Sequence, residues 1–421
     1  MYSLAVLTTL LATALSAALP SQRVDYSGYR VVRIPTKPAG DDLYTIQGIV
    51  KDLKLPIWRV PAVPGADVDL MIPPKQIKKF ETLAKDLEIN VLHEDLGAAI
   101  EAEKSFGVYE AGSLDDTWFN AYHSYDDHMQ WLTDIQAAHP DNSEVFVDGA
   151  SFEGRNITGI HIWGSEKGTK PAAIIHGTVH AREWITTMTV EYIINSVLTG
   201  YGSDEEVTAF VDKYDLYFIP IVNPDGFVFT QDGDRMWRKN RQPNEGSQCI
   251  GVDINRNWPY EWVGEGSSPD PCDEAFRGPS EGSTPEIQVH TKFMSRIAEA
   301  QGVKTYIDVH SFSQLFMTPY GYTCDSLPEN NDLHQELATT FADALTAVHG
   351  TEYTTGPICQ TIYPTNGGSS DWALDVLGAE TVFAAELRDT GRHGFILPPE
   401  QIVPTGEETW AGFKALMTKL G

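Results

Sequence analysis

The chain of 421 residues is 42% hydrophobic and carries a formal net charge of −29. Its length suggests two or three domains with a sizeable buried core, and its acidity excludes the basic surface that nucleic-acid binding requires. Residues 1–18 form an apolar run rich in Leu and Ala that ends in small residues. That pattern predicts a signal peptide and a secreted, extracellular product. No other run approaches the ~20 apolar residues of a membrane span, so no membrane partner is expected.

Residues 29–34 alternate as a strand does, 41–51 predict a short helix, and 57–60 and 68–72 read as strands. Ile77, Phe80, Leu83, Ala84 and Leu87 then make a helical stripe, and 89–92 a last strand. The order β-α-β-β-α-β is that of a small ferredoxin-like α/β open sandwich. Lying between a signal peptide and a larger unit, residues 19–112 are expected to be a pro-domain, an activation peptide. Its end, 96–112, predicts a helical connector containing Lys104, with cleavage expected between about Glu103 and Asp115.

Residues 113–421 carry one long α/β pattern. Ser124 with Asp127 resembles a capping box and opens a helix to about His139. Strands are predicted near 144–148, 158–163 and 172–176, a helix over 185–198, and a strand over 216–220. Thr284-Pro285-Glu286 starts a helix with Pro at its first position. A strand over 304–309 delivers His310 at its end. Helices over 332–349 and 407–420, with a strand at 381–385, complete a mixed central β-sheet with helices on both faces.

The cysteines are Cys249, Cys272, Cys324 and Cys359. Of the possible pairings, the two that close local loops, Cys249–Cys272 and Cys324–Cys359, are expected. With no Cys-x-x-Cys spacing, a thiolate zinc site is not expected. Asn156-Ile157-Thr158 is the one glycosylation sequon, on an expected hairpin turn after Gly154.

His180 and Glu183 stand three apart just after a strand, so on the helix that follows they share a face and can reach one metal ion. Chance alone yields about one such pair in this chain. A second, His349–Glu352, crosses Gly350 at the end of a helical pattern and is read as a decoy. His310 is the natural third ligand, because ligands of open α/β sheets gather at the carboxyl ends of strands. His176 competes, but the strand-to-helix bend would point its imidazole away from that of His180. Asp253 is a candidate acceptor for a ligating imidazole. Gly278-Pro279-Ser280-Glu281-Gly282 matches a nucleophile elbow in letters only, since no strand precedes it and Pro279 sits in the turn.

Several motifs appear in one order: His180-Ala181-Arg182-Glu183-Trp184-Ile185, Asn223-Pro224-Asp225-Gly226-Phe227, Arg235-Met236-Trp237-Arg238-Lys239 and Gly251-Val252-Asp253-Ile254-Asn255-Arg256-Asn257-Trp258. After them come His310-Ser311, Thr361-Ile362-Tyr363 with Gly367-Gly368-Ser369, and Glu386-Leu387-Arg388-Asp389-Thr390-Gly391-Arg392. On these the chain resembles the carboxypeptidase A/B family of zinc metallocarboxypeptidases, in its secreted, pro-domain-bearing branch. The resemblance covers essentially all of residues 113–421.

The resemblance implies one Zn2+ held by His180, Glu183 and His310, with Glu386 as general base for the zinc-bound water. It implies that Arg238 polarises the scissile carbonyl, that Asn255 and Arg256 clamp the substrate's terminal carboxylate, and that Tyr363 closes over the peptide. Arg182 would line the outer subsites. Basic-preferring members carry an acid at the position of Ser370; here that residue is neutral, as is Ala384. Preference for C-terminal aromatic and large aliphatic residues is therefore expected. Phe312 stands where a Tyr is frequent in the family. The implied partners are peptide and protein C-termini as substrates and an activating protease, and the chain is expected to be a monomer.

Overall fold

The computed structural model describes residues 23–37, 41–59, 65–104 and 106–420. The signal peptide expected over 1–18 lies outside them.

The N-terminal unit follows the predicted order. Its elements are β1 (Arg30–Ile34), α1 (Asp41–Leu53), β2 (Ile57–Arg59), β3 (Val68–Ile72), α2 (Ile77–Leu83), β4 (Asn90–His93) and α3 (Leu96–Glu103). The strands form an antiparallel sheet ordered β2-β3-β1-β4. Side chains alternate across a strand, and each face of this sheet has its own apolar cover. Val32, Ile34, Leu70 and Ile72 pack with Ile46, Ile49, Leu53 and Phe80 of the two helices. Val31 and Met71, on the opposite face, pack with Trp58, Leu96 and Ile100, and with Met236, Phe312 and Phe395 of the large domain. The sheet is thus buried against the second domain. The expected helical connector is shorter than predicted: α3 stops at Glu103 and residues 106–110 have no regular structure. Gly107 and Gly112 disfavour a continued helix, and Phe106 and Tyr109 pack on Trp184 and Trp118 from extended chain instead.

The large domain contains α4 (Tyr125–Ala138), β5 (Ser143–Ala150), β6 (Asn156–Ile162), β7 (Ala172–Gly177), α5 (Trp184–Gly200), α6 (Glu205–Val211), β8 (Asp215–Ile219) and α7 (Pro224–Asp232). It continues with α8 (Pro285–Gln301), β9 (Val303–Ser311), β10 (Leu315–Thr318), α9 (Asn331–His349), β11 (Thr354–Pro357), α10 (Ile358–Thr361), α11 (Ser369–Asp375), β12 (Thr381–Leu387) and α12 (Ile402–Leu420). The capping box at Ser124 and Asp127 is present. Eight strands form one mixed sheet, ordered β11-β10-β12-β9-β7-β8-β6-β5. Its centre, β12, β9, β7 and β8, is parallel.

Both faces of that centre are covered, which is why residues 172–175 of β7 read as a continuous apolar run. Ala173 and Ile175 face α5, α9 and α12, while Ala172 and Ile174 face α8 and α11. Each large side chain fully buried this way contributes about 1.5–3 kcal/mol. Both expected disulfides form, Cys249–Cys272 and Cys324–Cys359. Asn156 is exposed, but as the first residue of β6 and not within the preceding turn.

Candidate active site

Three parallel strands end at one edge of the sheet and bring the chemistry together. β7 ends at Gly177, and the turn to α5 carries His180 and Glu183. β9 carries His310, whose register partner on β12 is Glu386. The turn after β7 is strapped from outside. The Asn223 side-chain amide donates to the carbonyls of Val179 and Lys239, each at 3.1 Å, and its oxygen accepts from Gly226 N. A Cβ on Gly226 would lie 2.6–2.8 Å from Asn223, the Lys239 carbonyl and Ala181. The Asn-Pro-Asp-Gly segment therefore braces the turn that carries His180 and Glu183.

Within that frame the ligand atoms converge. His180 Nδ1 lies 2.9 Å from Glu183 Oε1, His310 Nδ1 lies 3.1 Å from Glu183 Oε2, and the two Nδ1 atoms are 3.1 Å apart. All three residues are buried. Ligands about 2.0–2.1 Å from a tetrahedral zinc are ~3.3 Å from one another, so the spacing fits. Lone pairs aimed at one point repel unless a cation sits there, and two His with one Glu is a zinc donor set.

The far nitrogens are held by carboxylates, which orients each imidazole and fixes its tautomer. His180 Nε2 lies 3.2 Å from Asp253 Oδ1. His310 Nε2 lies 2.9 Å from Asp308 Oδ2. Asp308 escaped the sequence reading, although it sits two residues before His310 on one strand and so shares its face. Its Oδ2 also accepts from Ser369 Oγ at 2.5 Å and Asn255 Nδ2 at 3.3 Å. Asp253 in turn binds Arg238 through Nε and Nη2 at 3.0 and 2.8 Å. Burial opposes a charge on Asp253, but Arg238 and His180 outweigh it and hold the carboxyl well below the usual range. Burial likewise opposes ionisation of Glu183, yet His180 and His310 bring it down to about 2.

The remaining expected residues line the same cavity of about 750 Å³: Arg182, Asn255, Arg256, Tyr363, Ser370 and Glu386. Arg256 is fixed by bonds to the carbonyls of Gly266 and Asn255 at 2.7 and 2.9 Å. Arg182 donates to Met236 O and Glu274, with its guanidinium 4.2 Å above the Phe395 ring. Phe312 packs edge-on against Phe395 at 4.9 Å and offers no polar group there. Burial and the negative Glu183 push Glu386 up to about 8, against the pull of His310 and Arg238.

The rejected candidates lie elsewhere. His349, the last residue of α9, pairs with Glu407, and Gly350 after it takes φ 76°. His176 is not among the converging ligand atoms: its Nε2 bonds Tyr306 Oη and lies 3.5 Å from Asp308 Oδ1. Ser280 is exposed in a bend.

The profile of the family described as Zinc carboxypeptidase matches residues 128–412. The chain belongs to that family. Residues 38–103 match the carboxypeptidase activation peptide. The chain is 54% identical to a metallocarboxypeptidase A-like protein of Trichophyton verrucosum over the full length of both. It is 38% identical to carboxypeptidase A2 of Mus musculus over 87% of each chain. Among solved structures it is similar to thrombin activatable fibrinolysis inhibitor, with TM-score 0.86, 28% identity, and 93% and 98% of the two chains covered. It is also similar to carboxypeptidase A from Helicoverpa armigera, with TM-score 0.81, 27% identity and 94% and 98% coverage.

This is a zinc hydrolase of the carboxypeptidase A-like family, made with an activation peptide as a zymogen exopeptidase. Leu55, Pro56, Ile57, Trp58 and Arg59 of that peptide form one wall of the cavity. Arg33 and Arg59 both donate to the Thr390 carbonyl, in the loop after β12.

Proposed function

We propose that the catalytic domain, residues 113–421, removes aromatic and large aliphatic residues from the C-termini of peptides and proteins after release of a pro-domain spanning 19–112. The observation that carries this is the convergence of His180, Glu183 and His310 beside Glu386 and Arg238, in one cavity with Asn255 and Arg256. His180, Glu183 and His310 would hold the zinc. When bound, zinc supplies Lewis acidity and lowers the pKa of a water to about 7.

The chain's own groups do the rest. Arg256 and Asn255 take the terminal carboxylate, a task suited to a planar guanidinium with parallel N–H donors. Tyr363 closes over the bound peptide. Arg238, fixed by Asp253, donates to the oxygen of the scissile carbonyl as negative charge develops there. Glu386 accepts a proton from the attacking water and passes it to the leaving amine.

Specificity lies beyond the clamp. Ser370 and Ala384 are uncharged, and Met317 and Ile358 add apolar wall. Asp371, next to Ser370, is not a free counter-ion. It accepts from Gly321 N and Tyr322 N at 2.9 Å each, and burial pushes its carboxyl up to about 7. A C-terminal Arg would meet no partner, and a buried unpaired charge costs about 3–5 kcal/mol. Peptides differing only in a final Phe, Leu, Arg or Glu test this. Phe and Leu are expected to leave at least ~10²-fold faster in kcat/KM than Arg, and Ser370→Asp is expected to raise Arg release. Preferred release of Arg by the unaltered enzyme would overturn the pocket assignment.

Export through residues 1–18, a monomeric state and glycosylation at the exposed Asn156 complete the reading. No helix among the described residues is long and apolar enough to cross a membrane.

A further inference from the structure

The zymogen is defined by a cut, and the connecting segment has one candidate bond for a protease that reads basic residues. Lys104 is the only Lys or Arg between Lys85 and Arg155. That bond is guarded. Lys104 closes α3, with its N–H bonded to the Ile100 carbonyl at 3.1 Å and its ammonium donating to the Gln231 carbonyl at 3.1 Å. Glu103, just before it, is buried and pairs with Arg235 through two bonds of 2.7 and 2.8 Å. Proteases bind their substrates as extended chain, with side chains entering pockets one by one. Reaching Lys104 would mean unwinding a helix end and pulling apart a buried ion pair.

Four residues further on, the chain already has the right form. Residues 106–110 have no helix, strand or turn, and Val108 is 93% exposed. No other large hydrophobic side chain among the described residues is so open. Both flanks are tied to the catalytic domain. Phe106 packs on Trp184 with ring centroids 5.7 Å apart. Tyr109 packs edge-on against Trp118 at 4.8 Å, and its hydroxyl donates to Asp134 at 2.7 Å. Gly112 N donates to the same carboxylate oxygen at 2.7 Å. The segment is therefore stretched between anchors with Val108 presented outward. A cut after Val108 leaves Tyr109 packed, so the new amino terminus stays ordered, and frees α3 from its covalent tie.

We propose that the precursor is processed at the Val108–Tyr109 bond, by an endopeptidase whose pocket accepts a small aliphatic side chain and not by one specific for Lys or Arg. One water is consumed. The Val108 C–N bond breaks, the water's oxygen completes a carboxylate on Val108, and the Tyr109 nitrogen becomes an ammonium. The proposal deepens the zymogen reading and rests on it, and it moves the end of the released pro-domain from residue 112 to Val108, so that residues 109–112 stay on the catalytic domain.

The full-length precursor is treated at limiting ratio with an elastase or with trypsin. The N-terminus of the large fragment is read by mass spectrometry while release of C-terminal Phe is followed. Elastase is expected to give a fragment beginning at Tyr109 together with a rise in activity. Val108→Asp is expected to slow that cut by at least ~10-fold, the local segment being already open to attack. Lys104→Gln is expected to leave it unchanged. An unshifted melting curve for Val108→Asp shows that the exposed substitution left the fold intact. Faster activation by trypsin through a fragment beginning at Ser105, lost in Lys104→Gln, would overturn the proposal, as would an elastase fragment that begins elsewhere. A precursor fully active before any cut would defeat the zymogen reading instead, while the fragment's first residue still decides the site.

Discussion

Replacing Glu386 with Gln is expected to lower kcat by about 10²–10⁴-fold, the usual contribution of a positioned general base, while zinc content stays unchanged. Glu386 lies on β12 opposite His310 in the parallel register, close to the ligands but not one of the converging three. Its environment explains why it suits proton transfer. Burial and Glu183 push the carboxyl up to about 8, while His310 and Arg238 pull it down. A cation held by His180, Glu183 and His310 would add to that pull and favour the carboxylate, the form that takes a proton.

The sign for pH follows. In the proposed role the carboxylate form is the base, so kcat/KM is expected to fall as pH drops through its pKa. The residual activity of the Gln protein lacks that limb. Zinc content by elemental analysis and a pH profile check both points. A Gln protein with bound zinc and unaltered turnover would remove Glu386 from the role.

Arg238→Ala is expected to cost about 10²–10³-fold in kcat, the range seen when a single oxyanion donor is deleted. The loss should appear in kcat more than in KM, because the charge it meets develops on the way to the transition state. Its two bonds to Asp253 add a second consequence. Asp253 also holds His180 and accepts from Asn255 N at 3.0 Å, so removing Arg238 leaves a buried carboxylate with fewer partners beside a metal ligand. Titration with a competing chelator separates the two effects. Weaker zinc retention with unchanged kcat in the zinc-saturated protein would assign Arg238 to holding the site and not to the reaction.

Much of this arrangement is legible in the chain because local rules suffice for it. The unbroken apolar run 172–175 identifies a strand buried on both faces, and Asp-Val-His at 308–310 runs a strand out to a candidate ligand. The open-sandwich order of the activation peptide follows from alternation and one helical stripe. Other parts resist for physical reasons. β10 and β11 have four residues each, and β11 contains Gly356 and Pro357; neither is long enough to show a period. α7 starts at a proline and has nine residues, and the Asn223 that caps it also braces the turn carrying His180. Glu103 and Arg235 lie 132 positions apart, and nothing in either neighbourhood announces the other. Asp308 was within reach, since residues two apart on a strand share a face.

The most direct test is a mass-spectrometric time course on one peptide ending in Phe, run as the free acid and as the C-terminal amide, with and without a zinc chelator. The processed enzyme should remove a single residue from the acid, leave the amide intact for want of a carboxylate to clamp, stop on chelation and recover on adding zinc. Cleavage of acid and amide at equal rates, or turnover that survives complete metal removal, would contradict a zinc exopeptidase built on His180, Glu183 and His310.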